Sequence, residues 1–412
     1  MNKLLVVILT LAIAAPASFC ASEFKTGAAS RVVTPEELLP LSGGTGKPLP
    51  STERKGDLFA RALVLEQGGT RVALVSLDFI GFPTPLCERI RDRIKNVPRE
   101  GVLIGSTHTH SAPDIYAFPD EEGNIHADLD YIDWVCTQAA EAVDEAVKNL
   151  QRANLKIAHD RIADRIAWNA YAPALFDPRC GVLQAIGEDG DPICTLVNYA
   201  IHPEVLGPRR GILSPDICGP FYDRIESQGG GMALFMNGAQ GGMVTADNRD
   251  PDSDGEIYTW EECIRIGELL ANEALRIITD ARVEENPNLQ IFSREVAFPV
   301  ESDLLWALGT GSPIMNFGAD RTVSIKVNLV NVGSAQMLTI PGEALPNIGC
   351  YLKRKMPTEH PFLLGLTNDA LGYILTKEDF GAFDRYNYIS RTSLGQMTGE
   401  IFTEAALEMI DT

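Results

Sequence analysis

The chain reads Gly105-Ser106-Thr107-His108-Thr109-His110-Ser111-Ala112-Pro113 where an apolar strand ends, and this stretch places two of only six histidines two residues apart. Val102, Leu103 and Ile104 form the predicted strand. Side chains at positions i and i+2 of an extended segment point to the same side, so both imidazoles can face one point. The pattern indicates a metal or proton-transfer site, with a hydrogen-bonded pair of loop histidines as the alternative.

Three further segments repeat this arrangement, in which an apolar strand leads into a loop that begins with a chemically useful side chain. The strands are predicted over 193–201, 336–340 and 362–366, and they are followed by His202-Pro203-Glu204, by Pro341-Gly342-Glu343, and by Thr367-Asn368-Asp369 with Tyr373 beyond. In open α/β sheets the binding crevice lies outside the carboxyl ends of the strands, so we expect these four ends to converge. Two or three imidazoles with one carboxylate suit zinc.

Five segments together resemble one known family in both order and spacing. They are 107–113, Ala200-Ile201-His202-Pro203, Ser214-Pro215-Asp216-Ile217-Cys218-Gly219, Pro341-Gly342-Glu343, and Gly365-Leu366-Thr367-Asn368 followed by Gly372-Tyr373-Ile374-Leu375-Thr376. The family is that of the neutral, non-lysosomal ceramidases, zinc amidases that release the fatty acid from N-acylsphingosine. The resemblance extends over nearly the whole chain after residue 20.

The resemblance implies a role for each residue that matches a family motif. It implies that Zn²⁺ is bound by His108, His202, Glu343 and Tyr373. His110 takes the place of a catalytic neighbour beside the metal. Arg165, in Asp164-Arg165, is similar to the family's substrate-binding arginine, although its flanking residues differ and an exposed arginine is usually just solvated.

One loop departs from the family pattern. Where the family has Gly-Asp-Val-Ser/Asn-Pro, this chain reads Gly241-Gly242-Met243-Val244-Thr245, so the acid and the serine are both absent. The strand before it, predicted over 232–236, and the glycine-rich character of the loop remain. The chain is therefore interpreted as a ceramidase-like hydrolase of an amide (N-acyl) bond. A metal hydrolase of another ester, lactone or N-acyl compound and a non-catalytic ligand-binding homologue are the alternatives.

The chemistry of an amide defines what a zinc site of this kind needs. Zinc lowers the pKa of bound water from 15.7 to about 7 and polarises the acyl oxygen. The leaving nitrogen must be protonated and the oxyanion held, for which the candidates are His110, the Tyr373 hydroxyl and the backbone N–H groups of Gly241 and Gly242. Asp216 is expected to orient an imidazole, with a turn or N-cap aspartate as the alternative.

Length and patterning indicate an α/β fold with a mixed sheet and flanking helices, and with the metal site at the carboxyl ends of strands. Hairpins are predicted over 57–79 and 181–199, and helices over 85–95, 128–150, 260–279 and 398–409. Residues 21–412 are expected to form a single ceramidase-like catalytic domain, without the C-terminal immunoglobulin-like domain of the family's full-length enzymes. The net charge of −21, with no basic cluster, argues against a nucleic-acid partner.

Residues 1–20 read as a secretory signal peptide, with Lys3 before an apolar run over 4–15. That run is too short to span a bilayer, so no transmembrane segment is expected in the mature chain. The protein is predicted to be secreted or periplasmic. Lipoprotein anchoring at Cys20 is the alternative, which the adjacent Phe19 disfavours. The expected partner is a small-molecule or lipid N-acyl substrate.

Overall fold

Strands and helices alternate along the chain and assemble into layers. The computed structural model describes residues 22–162, 165–315 and 317–411, so the predicted signal peptide and Asp164 lie outside the described residues. No helix within these ranges is long and apolar enough to cross a membrane. The predicted mixed α/β fold with flanking helices is confirmed.

The elements of the described ranges follow one another in this order. The strands are β1 (Phe24–Val32), β2 (Glu53–Arg54), β3 (Phe59–Gln67), β4 (Thr70–Leu77), β5 (Val102–Ser106), β6 (Gln151–Arg161), β7 (Ala167–Asn169), β8 (Arg179–Gly187), β9 (Pro192–Tyr199), β10 (Ile212–Leu213), β11 (Met232–Asn237), β12 (Val244–Ala246), β13 (Val283–Glu284), β14 (Leu289–Pro299), β15 (Thr322–Val332), β16 (Ala335–Thr339), β17 (Glu343–Ala344), β18 (His360–Leu364) and β19 (Tyr373–Ile374). The α-helices are α1 (Thr84–Arg93), α2 (Leu129–Lys148), α3 (Cys218–Ser227), α4 (Trp260–Thr279), α5 (Asp303–Gly311), α6 (Pro346–Lys355), α7 (Asn387–Arg391) and α8 (Thr398–Ile410). Short 3₁₀ turns occur at Arg99–Gly101, Pro208–Arg210 and Asp384–Tyr386.

The larger sheet has nine strands among the described residues and is mixed. Its order is β11-β9-β8-β6-β1-β3-β4-β5, with β13 beside β6. The pairs β4–β5 and β9–β11 are parallel, and the hairpins β3–β4 and β8–β9 are antiparallel, as predicted. A second sheet of four strands, β14-β15-β16-β18, lies against it.

Alternation along the strands gives each sheet two apolar faces. In β3, Leu63 and Leu65 belong to the cluster between the two sheets, which also contains Met337 and Phe362. The neighbouring Val64 belongs instead to the cluster under α1 and α2, because successive side chains of a strand point to opposite faces. Two further clusters join α3 and α4 to the larger sheet and α6 and α8 to the smaller one. The order of layers is therefore helices, sheet, sheet, helices.

The four predicted helices are confirmed as α1, α2, α4 and α8, with each end within two residues of its predicted position. The sequence analysis assigned no helix to the residues of α3. Gly219 and Pro220 lie in its first turn, where the missing N–H of proline costs no intrahelical hydrogen bond.

The carboxyl ends of strands from both sheets meet at one place, as expected. Ser106, at the end of β5, donates its N–H to the carbonyl of Leu366, just after β18. Gly365 donates its N–H to Asn237 at the end of β11, and Gly238 donates to Tyr199 at the end of β9. These contacts bring the loops that carry the predicted site residues to a single edge of the molecule.

Candidate metal centre

His108 is held by the backbone just beyond β5. Its N–H donates to Phe79 over 2.9 Å, and its φ of 74° lies in the left-handed region. The side chain is buried, and Nδ1 donates to the carbonyl oxygen of Ile80. A carbonyl can only accept, so Nδ1 carries the proton and the lone pair of Nε2 faces the centre. Because β5 ends at Ser106, the extended i, i+2 spacing predicted for His108 and His110 is not what aligns their rings.

His202 repeats this arrangement from the loop after β9. Its backbone N–H and its Nδ1 both donate to the carbonyl oxygen of Val244, over 2.9 and 2.8 Å. Nε2 is directed to Glu343, with 3.0 Å between Nε2 and Oε2. A second hydrogen bond of this kind is what orients histidines that bind metals in proteins.

Four donor atoms converge from these loops. His108 Nε2 lies 3.2 Å from His110 Nε2 and 3.6 Å from Glu343 Oε2, and His202 Nε2 lies 3.0 Å from the same Oε2. Ligand atoms 2.0–2.2 Å from one tetrahedral ion are roughly 3.3–3.6 Å apart. The 3.6 Å distance lies in that range, and the 3.2 and 3.0 Å distances are slightly shorter. His108, His110 and His202 form a group that could hold a metal ion.

Glu343 and His202 are buried together, and each favours the charged form of the other. Burial alone would raise the pKa of Glu343, but His108 and His202 hold it well below its ordinary value. Burial lowers the pKa of His202, yet the hydrogen bond to Glu343 and the charges of Glu204 and Glu343 raise it to about 9. Glu343 is therefore a carboxylate anion. A proton and a metal ion compete for the Nε2 lone pair of His202.

His110 occupies the accessible side of the group. Its Nε2 faces His108, and its Nδ1 lies 3.5 Å from Glu204 Oε2. Burial, followed by the charges of His108 and His202, keeps the pKa of His110 well below its ordinary value. A neutral imidazole between the centre and a carboxylate can accept and pass on a proton. The same position also lets His110 act as a ligand.

A cavity with apolar walls opens beside the donor atoms. His108, Glu343 and Tyr373 line one part of it, and its empty volume, counted with the mouth, is about 650 Å³. The apolar part of the wall consists of Ile80, Tyr116, Phe118, Leu305, Met315, Phe317, Leu371, Tyr388 and Leu394. The hydroxyl of Tyr373 lies 3.4 Å from the sulfur of Met243. Polar reactive groups at one end of an apolar cavity are typical of a ligand site.

Asp216 has a different partner set from the one predicted. Its carboxylate accepts the backbone N–H groups of Val205, Leu206 and Ile217 over 2.8–3.3 Å. The imidazoles are oriented instead by the carbonyl oxygens of Ile80 and Val244. Asp216 thus fixes the turn that follows His202, which corresponds to the turn role that was the alternative.

The backbone N–H of Gly241, one of the candidates for holding an oxyanion, already has a hydrogen-bond partner. Its N–H donates to the carbonyl of Ala344 over 3.0 Å. A Cβ at this position would lie 2.1 Å from the carbonyl oxygen of Glu343, so only glycine fits. Gly242 follows with a φ of 71° and packs against Leu345. The loop therefore supports β17, which carries Glu343.

Arg165 lies at a different part of the surface from the cavity wall. Its guanidinium donates to the carbonyl of Arg249 over 2.9 Å, and its Nε lies 4.0 Å from Asp247 Oδ2. Among the described residues, those that line the cavity do not include Arg165. Its role as a substrate-binding residue stays a prediction.

Asn237 is a site residue that the sequence analysis missed. Its side-chain amide donates to the carbonyls of Thr107 and Ile201 over 3.0 and 2.7 Å, and its Oδ1 accepts the N–H groups of Ile201 and Gly238. It thereby joins the residue before His108 to the residue before His202. The only signal in the sequence was its place after the predicted strand, at the start of a glycine-rich loop whose backbone was expected to approach a ligand.

Comparisons with known proteins identify the fold. No protein-family model and no curated protein matches the chain. The solved structure of neutral ceramidase from Pseudomonas aeruginosa is similar over 95% of this chain and 75% of that chain, with a TM-score of 0.78 and 17% identity. A ceramidase complexed with C2 is similar over 94% and 75%, with a TM-score of 0.78 and 16% identity. The chain has the fold of neutral ceramidase, which confirms the resemblance at that level.

Replacing Gly241 with alanine should displace β17 and with it Glu343. The added Cβ would meet the Glu343 carbonyl at 2.1 Å, a distance that backbone atoms can relieve only by moving. We expect the free energy of unfolding to fall by about 1–3 kcal/mol and metal affinity to fall with it, as measured by urea denaturation and metal titration. Gly69→Ala is the control, because nothing lies within 4 Å of its added Cβ. Equal stability of the two variants would contradict this account of the loop.

Proposed function

We propose that the protein is a zinc-dependent hydrolase that cleaves the amide bond of an N-acyl compound with an apolar acyl chain. The observation that carries the proposal is the convergence of His108, His202 and Glu343 at one end of an apolar cavity. The ceramidase fold supports the same reaction class. Each feature alone is compatible with other functions, but together they favour an amidase.

The proposed ligands are His108, His202 and Glu343, with Tyr373 as the fourth. Two imidazoles and a carboxylate are the donor set that catalytic zinc sites use, and both imidazoles present the nitrogen that lacks a backbone partner. Zinc bound there would supply an activated water near neutral pH and polarise the acyl oxygen. The group formed by His108, His110 and His202 leaves a second possibility, in which His110 replaces Tyr373 as the fourth ligand.

His110 is the proposed acid–base residue. Its Nε2 faces the centre and can remove a proton from water, while Glu204, 3.5 Å from Nδ1, stabilises the imidazolium that results. The same nitrogen can then donate the proton to the leaving nitrogen of the amide. His110 would therefore take the proton from the attacking water and deliver it to the leaving nitrogen.

Tyr373 is the proposed donor to the developing oxyanion. Burial, and then the charge of Glu343, raises the pKa of its hydroxyl well above the ordinary value, so the group stays protonated. Because the Gly241 N–H is used by Ala344, the Tyr373 O–H becomes the better candidate for this task. A donor and a ligand role for Tyr373 exclude each other at any one moment, since a bound phenolate has no proton to donate.

The wall of the cavity favours one class of substrate. Large apolar side chains such as Phe118, Met315 and Phe317 line it, so a hydrocarbon acyl chain would lose its contact with water there. A polar acyl group would leave its hydrogen-bonding groups unpaired. This favours a lipid-like N-acyl substrate over the polar compounds among the alternatives.

We also propose that residues 21–412 form one catalytic domain and that the protein is exported. Strand ends from both sheets contribute to the same centre, which supports a single domain. Export rests on the apolar run over 4–15 after Lys3.

Purified protein should contain about one zinc per chain, and His202→Ala should lose it. Removing this ligand leaves too few donors to hold the ion against water. Elemental analysis by mass spectrometry measures the metal content. His126→Ala is the matched control, because His126 contacts Asp120 in a surface loop and lies outside the centre. Full zinc content in His202→Ala would refute the ligand assignment.

His110→Ala should keep zinc and lose activity by roughly 10²- to 10⁴-fold, the contribution of a general acid or base. The substrate is the one found to be turned over most efficiently by the unmodified protein. Glu204→Gln should reduce turnover less, since it acts on His110 and not on the substrate. If zinc leaves together with His110, this residue is a ligand and the assigned roles are exchanged.

Release of fatty acid from N-acylsphingosine should be absent or much weaker than hydrolysis of another apolar N-acyl compound. Gly242 and Val244 stand where the family has an acid and a serine, so hydrogen bonds to the polar end of ceramide are lost. A panel of amides and esters, assayed with and without a chelator, tests this expectation. Efficient, chelator-sensitive hydrolysis of ceramide would show that the altered loop does not determine the substrate.

A further inference from the structure

Two histidines outside the candidate metal centre meet face to edge. His159 lies near the end of β6, and His360 is the first residue of β18. Their Nδ1 atoms are 3.0 Å apart, and their ring centroids are 5.2 Å apart with an angle of 76° between the rings. The two residues are 201 positions apart along the chain, so only the packing of the two sheets brings them together.

This pair lies at the opposite end of β18 from the candidate metal centre. Strand β18 runs from His360 to Leu364, and its carboxyl end leads into the loop of Leu366 and Thr367. At 3.3 Å per residue, the strand alone separates the two places by roughly 13 Å. The His159–His360 pair is therefore a separate feature, and its properties do not depend on the proposed hydrolase activity.

Charges on the His360 side of the pair favour a cation. Asp177 pairs with Lys353 and Arg179 on the side of His159, over 2.9 and 2.7 Å. On the other side, His360 faces Glu359, with 3.8 Å between Nε2 and Oε1, and shares a groove with Glu284. Glu285 and Arg282 line the same groove, so four carboxylates against three cations leave a net charge of −1 around the two rings.

Both imidazoles are available as ligands at neutral pH. Burial lowers the pKa of His159, and the charges of His360 and Lys353 lower it further. Burial lowers the pKa of His360 as well. Neutral imidazoles keep a lone pair, and the groove beside His360 is open to solvent, so an ion can reach it.

We propose that His159 and His360 form a second metal site, which binds a divalent ion of the copper type. Two nitrogens that bind one ion at 2.0–2.1 Å are roughly 2.9 Å apart at a right angle and roughly 3.4 Å apart at a tetrahedral angle. The observed 3.0 Å lies within this range. Imidazole nitrogens suit copper, nickel and zinc, and among these divalent ions Cu²⁺ forms the tightest complexes, with water completing the coordination. The competing account is a hydrogen bond between two imidazoles.

Titration of the full chain with Cu²⁺ distinguishes the two accounts. The His108→Ala, His202→Ala double variant serves as the background, because it leaves His110 as the one imidazole of the candidate metal centre. We expect about one bound Cu²⁺ per chain, with an electron paramagnetic resonance spectrum split by two imidazole nitrogens. His159→Gln and His360→Gln should each weaken binding at least about tenfold and remove one nitrogen from the spectrum. His126→Gln, on the same background, should change neither.

A glutamine at either position could disturb the packing between the sheets. Circular dichroism and thermal unfolding therefore check that each variant is folded before its Cu²⁺ binding is compared. The proposal is overturned if a folded His159→Gln, His360→Gln double variant binds Cu²⁺ as tightly as the background, or if the background binds none. The pair is then a hydrogen bond between imidazoles. Because the readout is copper binding, the result is independent of zinc binding at His108 and of hydrolysis.

Discussion

The candidate metal centre depends on one buried amide, that of Asn237. It bridges the carbonyls of Thr107 and Ile201 and so ties the loop of His108 to the loop of His202. A buried amide left without partners costs about 1–3 kcal/mol, so these hydrogen bonds specify the loop arrangement. Asn198, on the neighbouring strand β9, acts in a similar way. Its side-chain amide donates to backbone carbonyls of β11 and of β18. Two asparagines thus connect both sheets to the centre.

Backbone atoms also determine the chemistry of the imidazoles. The carbonyls of Ile80 and Val244 select the tautomer in which Nε2 has the free lone pair. The left-handed φ of His108 costs of the order of 1–3 kcal/mol, and such strain persists where the surrounding hydrogen bonds over-determine the conformation. Here those hydrogen bonds run from Thr107 and His108 to the chain after β4. Strain and tautomer selection occur together at the point where a metal would bind.

Apolar groups lie next to the donor atoms of the candidate centre. The thioether of Met243 contacts the hydroxyl of Tyr373. A thioether is a weak acceptor, so it leaves the phenol free to bind another partner. With the cavity wall formed by side chains such as Leu371 and Leu394, the centre is polar only around the donor atoms. This division fits a substrate that has one reactive polar group and an apolar chain.

The sequence by itself determined the strand ends, the main hairpins and four helices, since periodicity and turn residues are local signals. The resemblance to the neutral ceramidases implied His108, His202 and Glu343 as ligands, and the structure brings these three side chains together. Only the tertiary structure decided which carbonyls orient the imidazoles, that Asp216 fixes a turn, and that the N–H of Gly241 is already bonded. Every residue type carries the same backbone N–H and C=O groups, so hydrogen bonds to them leave no trace in the sequence. The meeting of His159 with His360 had no local signal either, because it arises from the packing of two sheets.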